Sequence, residues 1–291
     1  MCRFVLYLGE DVALSSLITE PENSIIHQSF HSHEREEPLN GDGFGVAWYA
    51  PDVSAEPAVF KDITPAWNNI NLINLARVIS SPCVLGHVRA ATPGLPVIQL
   101  NCHPFVFGPF SFMHNGRVGG FSRLRRSLMR SLSDRAFNAV SGSTDSEFLF
   151  ALFLDFFESY KKDAGEAGGE SEEDILSAAL MATILEVERL KEEAGVTEPS
   201  FLNLVVSDGT SAVISRYVSP GGGEANTLYV HAGGRCECSH RHLHLIKTGG
   251  PRSAVIAASE PLTDEEVWMK VPSDNVLVIS DDLHIELRPI M

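Results

Sequence analysis

The order in which strand-like and helix-like segments follow one another constrains the fold of this 291-residue chain most strongly. Short apolar runs typical of strands come first, beginning at residues 4–8. Two long helical patterns follow, at about 145–160 and 172–193, with a Gly- and Glu-rich surface loop predicted at 163–171. The rest of the chain returns to strand patterns. Because this order lacks the strand–helix alternation of a parallel sheet, it predicts antiparallel sheets covered by helices, in one domain spanning 1–291.

The charge balance excludes one class of partner. The formal net charge is −16, and the one basic run, residues 123–130, is short and typical of the solvated side of a helix. Nucleic-acid binding is therefore not expected, because phosphate contacts need a basic face. No apolar stretch reaches the roughly 20 residues that cross a membrane, and no signal peptide is recognisable. With an odd number of cysteines, five, we expect a cytoplasmic protein without a disulfide framework.

Cys2 is the first candidate for catalysis. Methionine aminopeptidase removes Met1 when the next side chain is small, and its removal would place a thiol and a free α-amine on one residue. The ordinary pKa of an α-amine, about 7.7–8.0, lies far below that of lysine, so this amine can accept the thiol proton. Cys2 would then be a nucleophile that carries its own base. On the evidence of Cys2 alone, a cysteine that simply precedes a buried strand is the competing interpretation.

Two further segments combine glycines with polar side chains. Residues 40–45, Asn-Gly-Asp-Gly-Phe-Gly, form a glycine-dense turn into a strand, and a phosphate loop is excluded because no helix follows. Arg89 comes directly after the apolar run 83–88. Its planar guanidinium suits the carboxylate of an amino-acid substrate, whereas a structural ion pair is the competing interpretation in this acidic protein.

Polar residues also flank the first long helix and the strand before it. An Asn-Gly pair such as Asn115-Gly116 is typical of a hairpin turn. The Asn115 amide and the Gly116 N–H could instead donate hydrogen bonds to an oxyanion, where one donor contributes roughly 2.7–4 kcal/mol. Asp145 either caps the helix that begins there or accepts hydrogen bonds from a substrate ammonium group. Both alternatives stay open at this point.

Five motifs occur together in a fixed order. They are Met-Cys-Arg at 1–3, Gly-His-Val-Arg-Ala-Ala-Thr at 86–92, Asn-Cys-His-Pro at 101–104, His-Asn-Gly at 114–116 and Ser-Thr-Asp-Ser-Glu at 143–147. In this combination the chain resembles the class-II glutamine amidotransferases, which are N-terminal-nucleophile hydrolases. The resemblance continues more weakly through Ala-Ser-Glu-Pro-Leu at 258–262. It implies an α+β fold, a four-layer α/β/β/α sandwich of two antiparallel sheets.

The resemblance also implies roles for the candidate residues. Cys2 would be the nucleophile, and Asn115 and Gly116 would form the oxyanion hole. Arg89 would hold the α-carboxylate of a glutamine or γ-glutamyl group, and Asp145 would bind its α-ammonium. The remaining candidates would line or support the substrate pocket: His87, Thr92 and His103. The implied reaction hydrolyses a γ-glutamyl amide through a thioester, releases glutamate, and needs neither a metal nor a cofactor.

Within the family, the chain is most similar to the stand-alone γ-glutamyl hydrolase subunits of cytosolic glutathione degradation. Residues 201–291 are too short and too rich in strands for the second catalytic domain of the synthetase members. In the glutathione system the subunit works with a metallopeptidase, so the resemblance implies a partner enzyme subunit. The hydrolases of the ergothioneine pathway, which act on γ-glutamyl hercynylcysteine sulfoxide, are the alternative. An inactive or binding-only protein that retains Met1 is a further one.

One cluster lies outside these motifs. Cys236, Cys238, His240, His242 and His244 alternate along the chain, and on one strand they would share a face. Their side chains are of the type that binds zinc. The spacing lacks the Cys-x-x-Cys knuckle of structural zinc sites, so a solvent-facing strand without a metal is the preferred interpretation.

Overall fold

The computed structural model describes residues 2–34, 39–91, 96–167, 169–239, 242–246, 253–264 and 266–291. These residues form fifteen strands, which in chain order are β1 Arg3–Ala13, β2 Phe44–Trp48, β3 Ala58–Asp62, β4 Ser80–Val88, β5 Phe105–Phe107, β6 Phe110–Arg117, β7 Phe201–Ser207, β8 Ala212–Arg216, β9 Tyr229–Gly233, β10 Arg235–Ser239, β11 His242–Ile246, β12 Ala254–Ala258, β13 Met269–Lys270, β14 Asn275–Ile279 and β15 Ile285–Pro289. The α-helices are α1 Ser15–Ile18, α2 Ile25–Gln28, α3 Ile70–Ala76, α4 Phe121–Ser131, α5 Asp134–Ala139, α6 Asp145–Ala167 and α7 Glu172–Glu193.

Two large antiparallel sheets form the centre of the fold. The first has the strand order β13-β9-β12-β1-β4-β2-β3, and the second has the order β15-β14-β8-β7-β6-β5. β1 pairs with β4 on one side and with β12 on the other, so Leu6 stands opposite both Leu85 and Ala257. The sheet architecture predicted from the sequence is confirmed.

The side chains of β1 explain the layer structure. Successive residues of a strand point to opposite faces of the sheet. Phe4 and Leu6 belong to the core between the two sheets, whereas Val5 and Tyr7 belong to the core between the first sheet and helices α1–α3. A third core packs α4, α6 and α7 onto the outer face of the second sheet. Residues 4–8 of β1 are therefore buried on both faces, which accounts for the unbroken apolar run Phe-Val-Leu-Tyr-Leu.

The first long helix extends further than predicted. α6 begins as expected, with Thr144 as its N-cap: the Thr144 Oγ1 accepts a hydrogen bond from Glu147 N at 3.3 Å, and Glu147 Oε2 accepts one from Thr144 N at 3.4 Å. The helix continues to Ala167, so the loop predicted at 163–171 is wrong in its first part. Ala164 packs against the core of the second sheet, and this contact keeps the segment helical despite Gly165.

The cysteine- and histidine-rich segment forms a hairpin rather than one strand. β10 pairs with β11 in antiparallel register, with Cys236 opposite Leu245 and Glu237 opposite His244. The cysteines and the histidines therefore lie on two paired strands, and the condition that they share one strand is not met. His240 lies outside the described residues. In the part of the chain that is described, no helix is long and apolar enough to cross a membrane.

Candidate active site

The ends of three neighbouring strands bring Cys2 and Arg89 together. β1 starts where β4 ends, because the two strands are antiparallel, and Arg3 stands opposite Val88. β2 begins at the same edge, with Phe44 also opposite Val88. Cys2 and Arg89 each lie one residue beyond this row. The Cys2 Sγ lies 3.7 Å from the carbonyl oxygen of Ala90, so the thiol is held beside the segment that follows Arg89.

The environment of Cys2 keeps its thiol protonated. The side chain is partly buried, and burial raises the pKa of the Cys2 thiol above its ordinary value. The positive charges of Arg89 and Arg3 act in the opposite direction without cancelling this effect. A protonated thiol is a weak nucleophile and needs a neighbouring base. The α-amine that Met1 removal would expose on Cys2 meets this requirement.

Arg89 is buried without a carboxylate partner in the described part of the chain. Its side chain is 4% exposed. Two hydrogen bonds fix its backbone to the turn before β2: Arg89 N donates to Gly43 O at 2.9 Å, and Asp42 N donates to Arg89 O at 3.1 Å. Its guanidinium has one long contact, 3.5 Å from NH1 to the Asp42 carbonyl oxygen. A buried arginine normally pairs with an acidic group. A structural ion pair of Arg89 is therefore not observed among the described residues.

Asn115 and Gly116 lie within β6, so the hairpin interpretation of this pair is wrong. Asn115 Nδ2 donates to Ser259 Oγ at 3.3 Å, and the same hydroxyl oxygen accepts a hydrogen bond from Phe4 N at 3.0 Å. Ser259 thus links Asn115 of the second sheet to the strand that carries Cys2. An amide nitrogen has two hydrogens, and the one that Ser259 does not use is available to an oxyanion.

The backbone at Gly116 approaches the neighbouring strand too closely for a side chain. A Cβ atom at this position would lie 1.8 Å from Phe201 O. Only glycine therefore fits next to Asn115. This close approach gives a packing reason for the His-Asn-Gly motif, in addition to the oxyanion role that the sequence predicts.

Asp145, the first residue of α6, anchors the segment between β6 and α4. Its Oδ2 accepts a hydrogen bond from Val118 N at 2.7 Å, and its Oδ1 accepts one from Ser146 N at 2.9 Å. Thr144 is the N-cap of the helix, so the interpretation of Asp145 as the capping residue is wrong. Each carboxylate oxygen can accept more than one hydrogen bond. The half-buried Asp145 therefore keeps capacity for a substrate ammonium group.

The two predicted pocket histidines pack against each other. The rings of His87 and His103 have centroids 4.3 Å apart, and both side chains are buried. Burial lowers the pKa of His87 to about 3, and it lowers the pKa of His103 well below its ordinary value. Both rings are neutral at physiological pH. In the described residues no hydrogen bond joins either ring to Cys2, Arg89 or Asp145, and Thr92 lies outside the described residues.

Comparisons with known proteins identify the family of the chain. The family model "Glutamine amidotransferases class-II" matches residues 14–220. The probable glutamine amidotransferase DUG3 of Saccharomyces cerevisiae is 40% identical over the whole of this chain and 85% of its own length. The chain belongs to the class-II glutamine amidotransferases. The γ-glutamyl-hercynylcysteine sulfoxide hydrolase of Mycolicibacterium smegmatis is 26% identical over the full length of both proteins.

Solved structures extend the likeness to the fold. A glutamine aminotransferase class-II domain protein from Silicibacter pomeroyi aligns with a TM-score of 0.65 at 26% identity, over 99% of both chains. The glutamine phosphoribosylpyrophosphate amidotransferase of B. subtilis aligns with a TM-score of 0.60 at 16% identity, over this whole chain and 49% of its own. The second likeness concerns the fold alone, and it agrees with the predicted sandwich.

In this class-II glutamine amidotransferase, a buried ion pair that contacts the Cys2 backbone had no predicted role. Arg3 Nε lies 2.6 Å from Glu260 Oε1, and Arg3 NH1 donates to the Cys2 carbonyl oxygen at 3.0 Å. Glu260 also accepts hydrogen bonds from Ser32 Oγ and from His33 N. Both ionic partners are almost fully buried, Arg3 at 3% and Glu260 at 0% exposure. The only sequence signal was their position inside two of the motifs that this amidotransferase shares with its family.

We expect Glu260→Gln to destabilise the fold at pH 7 by about 3–5 kcal/mol, because Arg3 would lose its buried counter-charge. Burial alone would raise the pKa of Glu260, but the hydrogen bonds from Ser32 and the charge of Arg3 hold it below its ordinary value. A carboxyl group whose pKa is lower in the folded than in the unfolded state stabilises the fold at pH values above its unfolded-state pKa. This stabilisation is lost as the pH falls through the folded-state pKa. The difference between the free energies of unfolding of wild type and variant, measured with urea, should therefore shrink below about pH 4.3.

Glu286→Gln is the matched control for this measurement. Glu286 pairs with Arg288, also at 2.6 Å, but this pair is exposed to solvent. Its loss should change the free energy of unfolding at pH 7 by no more than about 1 kcal/mol. Equal effects of the two substitutions would contradict a stabilising role for the buried pair.

A cavity of about 620 Å³ lies away from these residues. It is lined by residues such as Gly9, Tyr49 and Asp208, beyond the opposite end of the central strands. None of the predicted site residues that the structure describes lines it.

Proposed function

We propose that this protein hydrolyses a γ-glutamyl amide bond and releases glutamate. The observation that carries the proposal is the buried guanidinium of Arg89, which lacks a carboxylate partner in the described residues and lies at the same sheet edge as Cys2. Such an arginine binds a carboxylate in a fixed orientation. The γ-glutamyl group carries an α-carboxylate three carbons away from the carbonyl that a nucleophile would attack.

The proposed mechanism uses the groups at the ends of β1, β4 and β6. Arg89 holds the α-carboxylate, and Asp145 holds the α-ammonium. The α-amine of Cys2 takes the thiol proton while the sulfur attacks the γ-carbonyl carbon. The negative charge that develops on the oxygen is stabilised by the Asn115 amide and the Gly116 N–H. When the intermediate collapses, the C–N bond breaks and the amine leaves with the proton. Water then hydrolyses the γ-glutamyl thioester, which regenerates Cys2.

Glutamate release from a panel of γ-glutamyl amides tests the proposal. The panel contains glutamine, glutathione, γ-glutamylcysteine and γ-glutamyl hercynylcysteine sulfoxide, because relatives named for glutamine and for the last compound resemble this chain. Intact mass first verifies that Met1 is absent. Release from at least one substrate is expected, and the preferred one separates the glutathione assignment from the ergothioneine alternative. Processed protein that releases no glutamate from any of them would contradict the proposal. The predicted partner subunit and the cytoplasmic location stay predictions.

Arg89→Ala is expected to lower kcat/KM for every γ-glutamyl substrate by a similar factor, roughly 10- to 150-fold, because the shared head group loses a charge-assisted hydrogen bond. The measurement compares initial rates of glutamate release across the panel. Arg77→Ala serves as the control, since Arg77 lies on the surface after α3 and its loss should leave the rates unchanged. A loss confined to one leaving amine would show that Arg89 contacts the amine side of the substrate instead.

A further inference from the structure

A second cavity lies on the side of Cys2 that faces away from Arg89. It has a volume of about 270 Å³, and its walls include Tyr229, the first residue of β9, and Glu260, which follows β12 closely. In the first sheet the strand order is β9-β12-β1-β4. At this edge of the sheet, Cys2 at the start of β1 therefore lies between Arg89 at the end of β4 and the cavity at β9.

The spacing of the strands sets the scale of this arrangement. In one row across the sheet, Val5 of β1 stands opposite Ala258, which in turn stands opposite Tyr229. Neighbouring strands are about 4.8 Å apart, so β9 lies roughly 10 Å from β1. Glu260 connects the cavity to Cys2 through Arg3. Arg3 is its ion-pair partner and donates a hydrogen bond to the Cys2 carbonyl oxygen. A substrate with its head group at Arg89 and its scissile amide at Cys2 would extend its amine toward this cavity.

We propose that this cavity is the subsite for the leaving amine, and that it favours an amine with a cationic substituent over one with an anionic substituent. This inference rests on the proposed function, since it requires a γ-glutamyl amide bound at Arg89. The inference specifies the chemical class of the leaving amine, which Arg89 and Asp145 do not determine.

The walls of the cavity offer negative charge and hydrogen-bond acceptors. Two exposed carboxylates, those of Glu34 and Asp264, line it, whereas the charge of Glu260 is balanced by Arg3. Among the described residues, no lysine or arginine lines the cavity, and His33 is the one lining residue that can become cationic. An anionic substituent would therefore meet like charges, whereas a cationic one would be attracted.

Aromatic and amide groups supply further contacts of the same kind. Tyr229 and Trp268 are both half-buried in the wall, and the face of an aromatic ring attracts a cation. The Tyr229 hydroxyl donates to Glu34 Oε1 at 3.0 Å, which holds that carboxylate at the cavity. Asn23 is 8% exposed and donates through Nδ2 to Pro261 O at 2.6 Å, while its Oδ1 has no hydrogen-bond partner in the described residues. A donor group of the substrate would satisfy this acceptor.

Three γ-glutamyl amides of equal length test the proposal. They are made from 1,4-diaminobutane, pentylamine and 4-aminobutyrate, so their far ends are cationic, neutral and anionic. For wild type, kcat/KM from glutamate release should be roughly tenfold higher for the cationic than for the anionic amide. In the double variant Glu34→Gln/Asp264→Asn this ratio should fall to about 1–2. The double variant Asp52→Asn/Glu56→Gln removes the same charge from the exposed turn after β2, and its ratio should equal that of wild type.

The outcomes separate this inference from the proposed function. Three results would each overturn the subsite. The wild type could prefer the anionic amide, the ratio could stay unchanged in Glu34→Gln/Asp264→Asn, or the protein could hydrolyse glutamine but none of the three amides. Hydrolysis of all three amides without charge preference would overturn it while leaving the proposed function intact. If Met1-processed protein releases glutamate neither from glutamine nor from any other member of the panel, the proposed function fails, and the subsite with it. Thermal unfolding of each variant verifies that the fold is retained.

Discussion

Cys2→Ala is expected to abolish glutamate release from every γ-glutamyl amide, by roughly 10⁴-fold or more, because no other group in the site supplies the covalent step. The fold should be retained, since among the described residues the Cys2 thiol makes a single hydrogen bond, the 3.7 Å contact with Ala90 O. The measurement combines initial rates with the urea midpoint of the variant. Detection of the γ-glutamyl thioester on Cys2 by mass spectrometry of the wild type would identify the intermediate directly.

Cys83→Ala is the matched control for this result. Cys83 is fully buried, and its Sγ lies 3.5 Å from Ser207 Oγ, at the end of β4 remote from Arg89. This variant should lose stability while keeping its activity. Protein that retains Met1 should be as inactive as Cys2→Ala, because the α-amine would then lie one residue away from the thiol. Activity in Cys2→Ala would end the proposed mechanism.

Asn115→Ala should lower kcat by about 10²- to 10³-fold and leave KM nearly unchanged, because an oxyanion donor acts on charge that exists only in the transition state. Steady-state kinetics with glutamine, or with the best substrate of the panel, measures the two constants separately. A raised KM with an unchanged kcat would mean that Asn115 binds the ground state of the substrate.

Ser259→Ala gives a graded comparison. Ser259 accepts the hydrogen bond from Asn115 Nδ2, so its loss should reduce kcat less than the loss of Asn115 itself. Addition of Ser259→Ala to Asn115→Ala should cost little more, because the serine acts through the amide that is already missing. Additive effects would show that Ser259 has an independent role.

The sequence predicted the parts of the fold that local patterns encode. The apolar run at residues 4–8 predicted a buried strand, and the helical patterns predicted α6 and α7 with the observed starts, Asp145 and Glu172. The end of α6 was missed, because Gly165 and the charged residues around it resemble a loop until the packing of Ala164 is known. β1 also extends to Ala13 through an irregular register between Leu8 and Val12, which depends on its partner strand.

The candidate site was predictable as a set of motifs but not as a geometry. Arg89 had two interpretations from the sequence, and only the three-dimensional structure shows that no described carboxylate pairs with it. The Arg3–Glu260 contact joins residues 257 positions apart, and no local sequence pattern predicts such a pair. His87 and His103 were predicted from the motifs as pocket residues, and this role stays a prediction. The contact between their rings, tilted by 33°, and the lowering of both pKa values by burial depend on the three-dimensional structure.

The central position of β1 has a consequence for the synthesis of this protein on the ribosome. β4 can pair with one edge of β1 as soon as residue 88 has emerged, whereas β12, which covers the other edge, begins only at Ala254. At about 5–20 residues per second, the growing chain exposes an apolar strand edge for roughly 10–30 s. An open edge of this kind invites pairing with other chains. Nascent and prematurely terminated chains therefore depend on chaperones to a degree that the finished protein does not.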